Sequence, residues 1–167
     1  KALDLVRLRG YEVEKDSDGD IRYSVEGIVV EHHRKGLESD GPEGTLLMLN
    51  EHILHHVSVS GVGMRHFCDM AMAYRHFSGE YDKTGYSRLL KDNGLDRWTL
   101  LLDSVLVHYL HTPVEMVLNP GKIQNNPSAD EKRLVELVMK DGNFGLQKRN
   151  RYSGLWDRSV IMMKYSP

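Results

Sequence analysis

The hydrophobic period changes once along this chain, and that change limits what the chain can fold into. Ile21, Tyr23 and Val25 alternate with Arg22, Ser24 and Glu26. That is the period-two pattern of a strand with one buried face. From about Thr45 the period becomes 3.6, with Leu46, Leu49, Ile53 and Val57 on one helical stripe. A strand-forming segment followed by a long helical one predicts an α+β fold: a small antiparallel β-meander with a covering helix, then a mostly helical C-terminal part.

The meander reads as Tyr11 to Glu14, Ile21 to Val25, and Ile28-Val29-Val30-Glu31-His32. The last is a β-branched run suited to an interior strand. Asp18-Gly19-Asp20 has the spacing of paired metal-binding acids, but Gly19 between them marks a tight turn. The covering helix spans Leu3, Val6 and Leu8 and stops at Gly10. It opens without an N-cap, which suggests a piece of a longer chain.

Further helices are expected through Phe67, Met70 and Tyr74, through Tyr86, Leu89 and Leu90, through Leu101 to Tyr109, and from about Asp130 to Lys140. Ser60-Gly61-Val62-Gly63 breaks the first pair. The resulting division is 1–43 for the α/β part, 44–140 for a helical domain and 141–167 for a C-terminal loop or extension.

The formal net charge of −2 carries no basic excess, which argues against a nucleic-acid partner. The densest basic stretch is Lys148, Arg149, Arg151 and Arg158, most simply a solvated surface. The single cysteine, Cys68, lies in the apolar register of a helix. It reads as a buried thiol of a reducing compartment, hence a cytoplasmic protein. No stretch has the length and apolarity of a membrane span.

Nine histidines are present, and His52 and His56 form an i, i+4 pair beside His55. That spacing can ligate zinc. No glutamate follows the first histidine, and no third ligand stands nearby in sequence, so packed or surface histidines are the simpler reading. Glu31 ends the most apolar strand, where an unpaired carboxylate is costly to bury. It is either a metal or substrate ligand, or an acid at the sheet edge paired with Arg34 or a histidine. Arg65 and Asp69 follow the glycine-rich break at i, i+4. They are either a surface ion pair or, with Gly61, Gly63 and a helix N-terminus, part of an anion cradle.

Several segments together resemble one family. They are Lys1-Ala2 through Arg9-Gly10-Tyr11, Val29-Val30-Glu31-His32-His33, His52-Ile53-Leu54-His55-His56, Ser60-Gly61-Val62-Gly63-Met64-Arg65-His66-Phe67-Cys68-Asp69, and Gly142-Asn143-Phe144-Gly145. In this order they are similar to an uncharacterised bacterial nucleotidyltransferase family of Bacteroides-type genomes, related to polymerase-beta-like nucleotidyltransferases. The resemblance covers residues 1 to about 150. It implies transfer of a nucleotidyl group from an NTP to an unknown acceptor with Mg²⁺. A phosphate-holding loop and two acids belong on an earlier strand, and a third acid on a later central strand. Glu31 matches that third acid, as catalytic and metal-binding residue. Arg65, Gly61, Gly63 and Asp69 then shape the substrate side. The earlier loop and acids are absent from this sequence, so this piece is expected to be inactive alone. The alternatives are a non-catalytic binding or scaffold domain on the same fold, and a metal hydrolase built on His52 and His56.

Overall fold

A computed structural model describes residues 6–16, 20–26, 28–33, 41–60, 62–141 and 155–165. The fold is α+β and mostly helical. Three strands come first: β1 (Val13–Asp16), β2 (Asp20–Val25) and β3 (Ile28–His33). They form an antiparallel sheet in the order β1-β2-β3, with Ile21 opposite His32 and Arg22 opposite Glu31. A register shift interrupts the β1–β2 ladder between Val13 and Lys15. Among the described residues β2 is central, and β3 pairs on one side only. Among the described residues the β-branched run therefore lies at an edge of the sheet. Apolar composition reports how well a strand suits burial but cannot say how many partners it has. On β2 the expected alternation has one fully committed position, Ile21, which is 2% exposed. Of the expected covering helix, the described residues 6–8 are helical and Val6 is buried.

Among the described residues six α-helices follow: α1 (Gly41–His55), α2 (Met64–His76), α3 (Lys83–Asp92), α4 (Asp96–Leu110), α5 (Ala129–Asp141) and α6 (Leu155–Tyr165). A π-helical turn, His56–Ser60, extends α1. α1 thus begins at Gly41, so the boundary drawn at residue 43 falls in its first turn. The segment 141–167, read from sequence as a loop or extension, contains α6, whose Ile161 enters the core. Gly142 to Gly145 and the basic residues 148–151 lie outside the described residues.

Helix α4 organises the core. Eight of its residues are buried, from Trp98 and Thr99 to the run from Leu101 to Leu106, and a helix buried nearly all round belongs at the centre of a bundle. It packs against α2, α3 and α5, while α1 packs against α2 and α3. Phe67, Met70 and Tyr74 of α2 and Tyr86 and Leu90 of α3 fill the space between them. Ile21 and Val6 are buried but belong to a different packing locality from this helical cluster.

Local chemistry fixes the ends of α3. Asp82 caps it by accepting from the amides of Thr84 at 2.9 Å and Gly85 at 3.0 Å. Its own amide donates to Glu43 at 2.5 Å, tying α3 to the start of α1. A Cβ at position 85 would sit 2.8 Å from Asp82 Oδ2. A larger residue there would make the Asp82 carboxylate shift within its cap.

Candidate functional site

The corner between α1 and α2 gathers most of the residues singled out in the sequence. His52 and His56 share one face of α1 as it passes into the π turn. The chain then crosses over buried Val62 and enters α2 through Gly63, the N-cap, whose backbone is extended at φ −103 and ψ 159. In the first turn of α2, His66 reaches back to that cap. Its Nδ1 lies 3.3 Å from the Gly63 amide and 3.2 Å from the Gly63 carbonyl oxygen. Val57 and Phe67, both fully buried, hold the two flanks in place.

This packing brings three imidazoles together. The Nε2 atoms of His52 and His56 are 3.0 Å apart. The ring centroid of His56 is 4.4 Å from that of His52 and 4.6 Å from that of His66. One ligand nitrogen from each of the three lies within 4.8 Å of the others, and all three rings are half-buried. Sequence spacing shows no third ligand beside His52 and His56, and the packing places His66 where it could serve as one. Sequence spacing shows the face a pair occupies on its own helix, but only helix packing shows what faces it. The usable signal was a histidine three residues past the glycine break, where a helix returning along α1 would place it.

The same corner carries Arg65, exposed on the first turn of α2, and Asp69, exposed one turn later. No ion pair joins these two. Gly63 is placed at the helix start, while Gly61 lies outside the described residues. The amides of Met64 and Arg65 have no partner among the described residues, as the first turn of a helix leaves them. Cys68 is exposed, which corrects its reading as a buried thiol. It follows Phe67 directly, and 100° of helical rotation turns it from the core to the outer face. Glu31 is placed by the sheet, on β3 opposite Arg22.

Magnesium takes oxygen ligands in near-octahedral geometry. Among the described residues the one group of three or more potential ligands is the histidine triad. Those nitrogens do not suit Mg²⁺, and one strand acid alone does not make a site for it. The described residues alone do not supply the oxygen ligand set for the Mg²⁺ that the family resemblance implies, and Glu31 would be one ligand among others.

A second locality was not read from the sequence. A cavity of about 430 Å³ is lined by Lys83, Ser87, Arg88 and Lys91 of α3 together with Leu118 and Asn119. Lys83 is committed to the carbonyls of Glu115 and Val117 at 2.8 and 2.7 Å, whereas Arg88 and Lys91 are exposed. Behind this wall sits Asp103 of α4, fully buried, which accepts from the Tyr74 hydroxyl at 2.8 Å. Among the described residues no group meets hydrogen-bond geometry at its Oδ2, although the Leu118 and Asn119 amides lie near the carboxylate. Burial pushes the Asp103 carboxyl up to about 7, against the opposing pull of Tyr74, the nearby amides of Asn119 and Leu118, and the Lys83 charge. The signal was a lone acid in the apolar run from Leu101 to Leu106. Of the other histidines, His108 joins α4 to α5 through Glu131 at 2.5 Å and the Gln124 carbonyl at 3.0 Å, a structural role.

Comparison of the chain with protein-family models, with curated proteins and with solved structures found no match in any of the three.

Proposed function

We propose that this chain is part of a nucleotidyltransferase of the Bacteroides-type bacterial family, whose full protein transfers a nucleotidyl group from an NTP to an acceptor. The observation that carries the reading is the segment 60–69. Its residues resemble the family, and its glycine and arginine stand at a helix start suited to an anion. Gly63 caps α2, the amides of Met64 and Arg65 stand in its first turn, and Arg65 is exposed beside them. Helix N-termini favour negative groups through their amides and dipole. In this reading β1 to β3 are part of the transferase sheet, with Glu31 as a strand acid contributing to the metal site. Among the described residues the second side of β3 pairs with no strand, which suits a larger transferase sheet. The cationic wall of Arg88 and Lys91 is a second surface suited to an anionic group, on the side of nucleotide or acceptor.

The test uses the protein in its full natural reading frame, with α-labelled NTPs, Mg²⁺ and cell extract as the source of acceptor. Wild type should transfer label, and Glu31→Gln should reduce transfer by about 100-fold or more, the scale of losing metal-held charge stabilisation. Equal labelling by both proteins removes Glu31 from the reaction. No labelling by wild type under any nucleotide sinks the proposal.

A further inference from the structure

We infer that His52, His56 and His66 form a binding site for a divalent transition metal of the zinc class, with three imidazole ligands and an open fourth position. The inference stands on the corner's geometry and does not depend on nucleotidyl transfer.

Three observations carry it. The first is the donor set: three imidazoles and no carboxylate within the group. Imidazole suits Zn, Cu, Fe and Ni, whereas Mg and Ca select oxygen. The second is distance. Zinc–nitrogen bonds of about 2.0–2.1 Å at a tetrahedral angle put ligand nitrogens about 3.3 Å apart. His52 and His56 already stand at 3.0 Å, and all three nitrogens fall within 4.8 Å, so small side-chain adjustments complete the set.

The third is orientation from outside the ligand shell. A metal-bound histidine usually donates its second ring N–H to a carbonyl or carboxylate, which fixes ring and tautomer. His66 Nδ1 lies 3.2 Å from the Gly63 carbonyl. The Gly63 amide donates to the same Nδ1 at 3.3 Å, so binding a metal through Nε2 exchanges that bond for donation to the carbonyl oxygen. The three ligands come from two helices and a π turn, and π turns occur often at functional sites. Fully buried Val57 and Phe67 hold each side, so the site is preorganised across a helix junction. Three protein ligands leave a coordination position open for water or an anionic oxygen, as in catalytic zinc sites.

The experiment takes tag-free protein, strips it with chelator, and titrates Zn²⁺ and, separately, Co²⁺ and Mg²⁺. One equivalent of Zn²⁺ should bind with micromolar or tighter affinity. Co²⁺ should give the visible absorption of a tetrahedral site, and excess Mg²⁺ should displace neither. His66→Ala and the gentler His66→Asn should each weaken Zn²⁺ binding at least 100-fold with unchanged helical circular dichroism. His55→Ala, on the same helix but outside the triad, should bind normally. Failure to bind one equivalent, or undiminished binding in His66→Asn, overturns the assignment. Because the readout is binding and spectrum, the result is independent of any transferase activity.

Discussion

Two polar clusters in the helical part differ in how they are closed. One links Asn50, Tyr86, Thr99 and Trp98 at the centre, with Tyr74 and Asp103 beside it. Asn50 Nδ2 donates to Tyr86 at 3.2 Å and Thr99 at 3.0 Å, and its carbonyl accepts from the Trp98 indole at 3.3 Å. Every member is buried, and its polar atoms bond to one another except Asn50 Oδ1 and Asp103 Oδ2, which have no partner among the described residues. The other cluster is the histidine triad, half-buried, with its nitrogens facing each other and solvent within reach. Burial decides what each cluster is for. The first specifies how α1, α3 and α4 meet, since a buried polar group left unpaired is costly. The second contributes little to folding until something occupies it.

The largest expected effect separates the clusters by pH. Asp103 has a folded-state pKa near 7, above the unfolded value of about 3.9. The folded state thus binds the proton more tightly, and the associated stability is present below about pH 4 and lost as pH rises through about 7. Denaturant unfolding across this window should show a decline of a few kcal/mol in wild type relative to Asp103→Asn, which keeps an acceptor for Tyr74. Identical pH dependence in the two proteins would mean that Asp103 is ionised within the fold.

Next comes the metal. Zinc at 100 times its dissociation constant should raise stability by about 2.7 kcal/mol, seen as a higher melting temperature in wild type and not in His52→Ala. Asn50→Ala should cost about 1–3 kcal/mol by urea unfolding, because it removes the buried donor to Tyr86 and Thr99. An unchanged midpoint would show the central network to be slack. The smallest effect is expected for His56→Ala in metal-free buffer, below about 1 kcal/mol. A loss as large as that of Asn50→Ala would erase the distinction between the two clusters.

Much of the helical part was legible because its burial follows local period. Phe67, Met70 and Tyr74 occupy one stripe and are fully buried, as are Tyr86 and Leu90. What the chain could not announce was which stripes meet. His66 needed the α1–α2 packing, and the edge position of β3 needed the strand order. Cys68 shows the limit of period alone: one residue past a core position, it is exposed. Helix α6 was missed because its apolar pattern is weak, yet Lys164 and Tyr165 bond to Asp130 of α5 and Ile161 is buried. Asp103 ran against composition altogether, since acids are seldom buried unless paired.

The π turn at His56–Ser60 also bears on how this corner tolerates insertion and deletion. Such a turn holds one more residue than the α-helical path would. Deleting a single residue between 57 and 60 would remove that extra residue and let the segment run as ordinary α-helix, with the chain beyond it in nearly the same place. Deleting a second would find no slack and turn the chain beyond by about 100° about the axis, carrying His66 away from His52 and His56. A loss of one codon there should therefore spare the triad, and a loss of two should dissolve it with every histidine still present.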